Sequence, residues 1–235
     1  MDWLVQSEQD ISAAPNLFLS RKEQVKFDSL RFLKRRNDWL VGRWTAKQLL
    51  ATVLERERNR PIPAQAIEIF NGVDGAPRVY INDEPLALNL SISHSHGYAL
   101  CAVDTSSVGA DLEWIEPREE CLVNDFFTAS EQAHVWASAA IERDRLVTAI
   151  WSAKEAGSKA LHKGLTIDTR TLEIGISTRA RGLEEWEPFE LTVRLEHQTH
   201  LHGWWRETEG LVLTLALSGK QQPRNFPISP LRLVA

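Results

Sequence analysis

Val108-Gly109-Ala110-Asp111-Leu112-Glu113-Trp114 is the stretch on which the reading of this chain turns. Its polarity alternates, and in a strand residues two apart share a face. Asp111 and Glu113 therefore project together, while Ala110, Leu112 and Trp114 point the other way into a core. Pro117 ends the strand. Upstream lie four short β segments: Ala66 to Phe70, Arg78 to Ile81, Leu88 to Ser93 and Tyr98 to Val103, separated by Gly, Asn and Asp turns. Before them, residues 21–58 read as mostly helical. Trp39, Leu40, Trp44, Leu49, Leu50 and Leu54 recur near a 3.6-residue period until Pro61 and Pro63 stop the helix. Downstream, helices are expected near Ala129 to Ala139 and Glu142 to Leu161. Strands follow at Thr171 to Ile176, Phe189 to Leu195, Leu201 to Trp205 and Leu211 to Ala216. Helix-then-strands occurs twice at comparable length. This predicts an α+β fold of two similar halves, residues 1–103 and 104–235, meeting near Asp104. The element order repeats; no repeated sequence stands out.

Composition narrows the function classes. At 235 residues, with 43% hydrophobic and 25% charged content, the chain is long enough to bury a core. No apolar run approaches a membrane span. The start, Met1-Asp2-Trp3-Leu4-Val5-Gln6-Ser7-Glu8, has neither the basic region nor the apolar stretch of a secretion signal, so a cytoplasmic protein is expected. A formal net charge of −5 repels a phosphate backbone at long range and argues against nucleic acid as a partner. Arg31-Phe32-Leu33-Lys34-Arg35-Arg36 is nevertheless locally basic and could hold a small anion. Cys101 and Cys121 are too few for a zinc framework, and Cys101, inside an apolar strand, reads as an inert core thiol. The nine tryptophans are scattered and read as packing.

Three stretches carry chemistry. Two carboxylates side by side repel, and a hard divalent cation relieves that repulsion through oxygen ligands. An isolated Asp-x-Glu, however, is more often a solvated strand face. Trp151, Glu155 and Lys159 are spaced four apart and so form one helix stripe, with Trp151 as its anchor. By itself, Glu followed by Lys at i+4 is an ordinary stabilising pair, and Lys154 and Lys163 read as solvated charges. Ser93-His94-Ser95 ends a strand, where a histidine beside hydroxyls and backbone N–H groups suits a phosphate. The Gly-x-Ser-x-Gly elbow of a nucleophilic serine is missing. His197-Gln198-Thr199-His200-Leu201-His202 has no cysteine or carboxylate pattern to complete a zinc site.

In this order the three stretches resemble the 4'-phosphopantetheinyl transferases, specifically the larger monomeric type that activates peptide and polyketide synthetases. The family pattern is Ser-His-Ser, Gly-x-Asp-x-Glu and Trp-x-x-Lys-Glu-x-x-x-Lys, standing here as Ser93 to Ser95, Gly109 to Glu113 and Trp151 to Lys159. Supporting matches run from the basic helix around Lys34 to Lys47, through Gly75-Ala76-Pro77, to Lys163-Gly164-Leu165, so the similarity covers roughly residues 30 to 175. The chain departs from the pattern at Leu90-Ser91, where the family often has Phe-Asn, and at Ala76, where it often has lysine.

The resemblance implies transfer of the phosphopantetheine arm of coenzyme A to a serine of an apo acyl or peptidyl carrier protein, with release of 3',5'-ADP. It implies two similar α+β halves forming a pseudo-dimer, with the active site in the cleft between them. Asp111 and Glu113 would bind Mg²⁺, with Glu155 either a third ligand or the base that takes the serine proton. Lys159 would hold the pyrophosphate, Ser93 and His94 a coenzyme A phosphate, Lys34, Arg35 and Arg43 the 3'-phosphate, and Gly75, Ala76 and Pro77 the adenine. The residue types agree with that chemistry, because phosphoryl transfer needs positioning and charge stabilisation more than a covalent nucleophile. Two other classes compete: a Mg²⁺-dependent hydrolase of a pyrophosphate bond, and a non-catalytic relative that only binds carrier proteins. Retention of three carboxylates together with Lys159 weighs against the latter.

Overall fold

The computed structural model describes residues 1–163, 167–176, 185–194 and 201–224. The chain divides into two units. The first comprises Met1–Thr105, rejoined by Pro223 and Arg224; the second comprises Ser106–Gln222. Chain order alone assigns all of residues 104–235 to the second half. In the structure Arg224 N donates to Met1 O and Arg224 bridges Asp2, which returns the last described residues to the first unit.

The first unit contains β1 (Asp2–Ser7), α1 (Pro15–Phe18), α2 (Arg21–Ser29), α3 (Leu33–Arg58), β2 (Ile67–Asn71), β3 (Pro77–Ile81), β4 (Glu84–Pro85), β5 (Asn89–Ser95) and β6 (Tyr98–Asp104). These strands pair antiparallel, in sheet orders β1-β6-β5 and β2-β3-β4. β1 was not expected from the sequence. The helix expected over 21–58 is two helices. Leu30 leaves the helix in an extended conformation, with its N–H on Phe27 O, and it is buried. A straight continuation would forfeit that burial. At its other end α3 stops on Asn59 in the left-handed region, followed by Pro61 and Pro63. Ala46, Leu49, Leu50 and Val53 of α3 pack with Leu4, Cys101 and Val103 of β1 and β6. Burial pushes the Cys101 thiol far up and leaves it inert.

The second unit contains β7 (Val108–Trp114), α4 (Glu120–Phe126), α5 (Ala129–Ala137), α6 (Ala140–Ala160), β8 (Leu172–Gly175), β9 (Glu187–Val193), β10 (Leu201–Thr208) and β11 (Leu211–Leu217). The strands form one antiparallel sheet in the order β7-β11-β10-β9-β8. The short α4 was not expected. Leu195, called as the end of a strand, lies outside the described residues. The core joins Leu146, Ile150 and Ala153 of α6 to Val212 and Ala216 of β11 and Trp205 of β10.

The units share internal details that the element order alone did not reveal. α2 and α5 each have nine residues and open with a capping box, Ser20 with Glu23 and Thr128 with Glu131. The long helix that follows carries Trp44-Thr45-Ala46-Lys47 in one unit and Trp151-Ser152-Ala153-Lys154 in the other, a tetrad repeat that the sequence reading missed. Phe18 meets Trp44 edge-on at 5.0 Å, and Phe126 meets Trp151 edge-on at 5.5 Å. Both lysines are buried. Lys47 pairs with Glu23 and donates to Phe18 O and Ala64 O; Lys154 pairs with Glu131 at 2.9 Å and donates to Thr169 O. Each glutamate also accepts a strand N–H, that of Ile69 or Ile174.

Candidate active site

In the second unit β7 and α6 approach each other unusually closely. A Cβ on Gly109 would lie 1.8 Å from Ala156 O, so only glycine fits there. Ala153, Ala156 and Ala160, all buried, keep this side of α6 low. Strand parity then carries Asp111 and Glu113 along the same face as Gly109. On α6, Glu155 and Lys159 lie one turn apart on that approach. The sequence-derived trio and its lysine are brought together within one unit.

Electrostatics tie them to one another. Asp111 is buried, and its Oδ1 accepts from Lys159 Nζ at 2.7 Å; the same ammonium donates to Ala110 O at 3.1 Å. Burial raises the Glu155 carboxyl above its usual range, and the charge of Asp111 adds to that rise. Glu113 is raised by burial and then by Asp111, opposed by Arg118 at 2.9 Å. Glu155 Oε1 is buried without a hydrogen-bond partner among the described residues. Below the site, Ser152 Oγ and Thr214 Oγ1 share a hydrogen bond of 2.8 Å, which pins α6 to β11.

Hard oxygen donors that repel one another, one of them buried and unsatisfied, have the chemistry a divalent cation requires. They do not form a preassembled cage: among the described residues no group of three or more His, Cys, Asp or Glu has the spacing to hold a metal ion. Instead Lys159 balances Asp111 and Arg118 balances Glu113. Arg118, missed in the sequence, could have been flagged by its place five residues beyond Glu113, just after Pro117. Lys154, read as a solvated charge, is buried on Glu131, as Lys47 is on Glu23. The same bracket stands in the first unit with Gln48 and Thr52 where the second has Glu155 and Lys159. Lys154 therefore belongs to the scaffold.

Most of the residues that the resemblance assigns to coenzyme A lie around a cavity of ≈ 710 Å³ within the first unit. Arg35, Arg43, Gly75, Pro77 and His94 line it, with apolar walls from Trp39, Ile69, Phe70 and Ile92. Ala76 is not among the lining residues, nor is Ser93, which is buried and paired in register with Leu100. Lys34 also lies outside the lining. Its ammonium stands 3.5 Å from Asp38, which itself lines the cavity and lies 4.0 Å from His94 Nδ1. Arg43 is held by Ile69 O at 3.2 Å and lies over the Trp39 ring at 4.8 Å; burial lowers its pKa. In the sequence Trp39 reads only as a member of the apolar stripe and Asp38 is not singled out, because a helix stripe does not reveal which of its members face a void. Lys163 is exposed, whereas Gly164, Leu165, His197 and His200 lie outside the described residues. His202 is exposed, with its ring 6.2 Å from that of Trp204.

Comparison with known proteins places these features in a family. The family model described as the 4'-phosphopantetheinyl transferase superfamily matches residues 107–216, the segment holding Asp111, Glu113, Glu155 and Lys159. The chain is 26% identical over 149 residues to the 4'-phosphopantetheinyl transferase psf-1 of Bacillus pumilus, covering 63% of this chain and 60% of that protein. It is 30% identical over 96 residues to a 4'-phosphopantetheinyl transferase of Bacillus subtilis, covering 41% of this chain and 42% of that protein. It is 32% identical over 95 residues to the holo-[acyl-carrier-protein] synthase of Geobacillus kaustophilus, covering 40% of this chain and 73% of that protein. Thus the matched region spans less than two thirds of the two transferases' own length. Among solved structures, a holo-(acyl-carrier-protein) synthase of Bacillus anthracis in complex with CoA (3',5'-ADP) aligns with a TM-score of 0.38 and 18% identity, covering 48% of this chain and 94% of that one.

Proposed function

The chain belongs to the 4'-phosphopantetheinyl transferase superfamily, and from that premise we propose that it moves the 4'-phosphopantetheine arm of coenzyme A onto a serine of an apo carrier protein. The observation that supports this reading is the Lys159–Asp111 ion pair of 2.7 Å on the approach of α6 to β7, with the charge of Asp111 raising both Glu113 and Glu155. In the reaction the carrier serine oxygen attacks the phosphorus that bears the pantetheine arm. A new phosphoester bond forms, the bond to the leaving phosphate breaks, and 3',5'-ADP departs.

Asp111, Glu113 and Glu155 are the residues that would hold Mg²⁺. When bound, the ion supplies charge neutralisation on the pyrophosphate. Lys159, already committed to Asp111, adds a fixed positive charge where the leaving group gains negative charge. Glu155 Oε1, buried and lacking a hydrogen-bond partner, is the atom available to a cation or to the serine proton. In the first unit, Arg35, Arg43 and His94 supply donors for the phosphates of the nucleotide end, and the Trp39, Phe70 and Pro77 walls supply apolar area for its base. A carboxylate-and-lysine site would also suit a hydrolase. The two activities separate on whether coenzyme A is consumed without a carrier.

The test is intact-mass spectrometry of apo fatty-acid, polyketide and peptide carrier proteins incubated with the enzyme, coenzyme A and Mg²⁺. One phosphopantetheine added to a carrier serine, and lost with EDTA, supports the proposal. Consumption of coenzyme A with no mass gain on any carrier overturns it.

A further inference from the structure

The beginning of α3 differs from those of α2 and α5. α2 and α5 have capping boxes with a glutamate in the first turn, whereas α3 has Phe32 at its N-cap position, no side-chain cap and no acidic residue in its first turn. Lys34, Arg35 and Arg36 occupy that turn instead, and cations there oppose the helix dipole. Phe32 and Leu33 are 76% and 73% exposed, and Val25 on the neighbouring α2 is 68% exposed. Large apolar side chains left in water beside an unfavourable charge arrangement lower stability and are expected at functional surfaces.

The charge distribution points the same way. From Arg21 to Arg36 there are seven basic and two acidic residues, in a chain whose formal net charge is −5. Of the two acids Glu23 is buried, leaving Asp28 as the exposed one. The nucleotide cavity accounts for only part of this cluster. Lys22, Lys26 and Arg35 line it, as does Val25; Arg31, Phe32, Leu33, Lys34 and Arg36 do not. Arg36 lies over the Phe27 ring at 4.1 Å, which ties the start of α3 to α2 and makes the two segments one surface.

We propose that this surface, centred on Phe32 and Leu33 and ringed by Arg31, Lys34 and Arg36, is the docking site of the carrier protein, received through a face of that carrier bearing carboxylates around apolar side chains. The inference rests on the transferase reading and adds to it a location and a chemistry for the partner. An apolar centre with a cationic rim matches such a face in both burial and charge. A bare polyanion would leave Phe32 and Leu33 in water, and nucleic acid is repelled by the acidic remainder of the chain.

The experiment compares wild-type enzyme with the Phe32→Ser/Leu33→Ser double variant and, separately, with Arg31→Glu. An apo carrier that the wild type loads serves as substrate, and coenzyme A affinity is measured by calorimetry. The expected result for each variant is a carrier KM raised at least about tenfold, with kcat and coenzyme A affinity within about twofold of wild type. The Arg31→Glu effect should shrink as salt is raised. An unchanged carrier KM in both variants overturns the proposal, as does a loss of coenzyme A affinity that matches the loss of activity, since the surface would then serve the nucleotide. Wild-type enzyme that loads no carrier overturns the transferase reading itself, an outcome distinct from a variant-specific effect and visible before any variant is made.

Discussion

Lys154 and Glu131 form an ion pair of 2.9 Å in which both side chains are buried, and Lys47 stands to Glu23 in the same relation in the other unit. Each pair joins a capping box, a long helix and a strand N–H. Two consecutive helices and a strand are thereby registered on one carboxylate.

Removing one partner of such a pair strands a buried charge, which typically costs about 3–5 kcal/mol. Lys154→Met and Lys47→Met are expected to lose stability by that order in urea denaturation. Replacing both partners, as in Lys154→Met/Glu131→Leu, should recover a large share of it. Scaffold roles for both lysines require that the two single variants behave alike; a Lys154→Met enzyme with full stability and no turnover would contradict this.

Gly109→Ala should be among the most damaging small substitutions in the chain. Its Cβ would lie 1.8 Å from a backbone oxygen of α6, and neither backbone can yield without unseating β7 or Ala156. The expected loss is about 3 kcal/mol or more, read as a shifted denaturation midpoint or as failure to accumulate folded protein.

Glu155 links stability to pH in a known direction. Its carboxyl is raised above the usual carboxylate range by burial and by Asp111, so ionising it works against the folded state. The stability that goes with its protonated form is full below the unfolded-state pKa and is lost as pH rises through the folded one. Glu155→Gln should therefore melt higher than wild type at about pH 8, and the difference should vanish toward about pH 4. Mg²⁺ should raise the wild-type melting temperature at about pH 8 and raise that of the variant less. Turnover tells the two possible roles of Glu155 apart. If it holds the cation, Glu155→Gln demands more Mg²⁺ for half-maximal rate; if it takes the serine proton, the Mg²⁺ demand is unchanged and activity returns at higher pH. Identical melting and kinetics in variant and wild type would remove Glu155 from the site.

Arg35 and Lys34 are neighbours in sequence with different surroundings. Arg35 lines the cavity, while Lys34 lies outside the lining, on Asp38. Arg35→Ala should weaken coenzyme A by about tenfold or more and dephospho-coenzyme A, which lacks the 3'-phosphate, much less. Lys34→Ala should have the smaller effect on both. Calorimetric titration of the two ligands decides the matter; equal losses for Arg35→Ala would place the 3'-phosphate elsewhere.

Much of the carboxylate site was legible in the sequence because it depends on local periodicity. Asp111 and Glu113 share a face by strand parity, and Glu155 and Lys159 share one by helical spacing, whatever lies around them. The division into two α+β units was legible for the same reason, since apolar periods and Gly/Pro breaks are local. The break at Leu30, the short β1 and α4, the tetrad repeat and the part played by Arg118 were not. Each depends on a partner far along the chain or on burial that a local pattern does not contain.

The two cations of α6 show where that boundary lies. The sequence determined that Lys154 and Lys159, five residues apart, leave the helix about 140° from each other. Only the tertiary structure decided that one meets Glu131 in the interior while the other meets Asp111 at the site. A helix sets the directions of its side chains through its own backbone hydrogen bonds. What waits in each direction depends on strands and caps brought there by packing, and it is that environment which makes one lysine a brace and the other a charge available to chemistry.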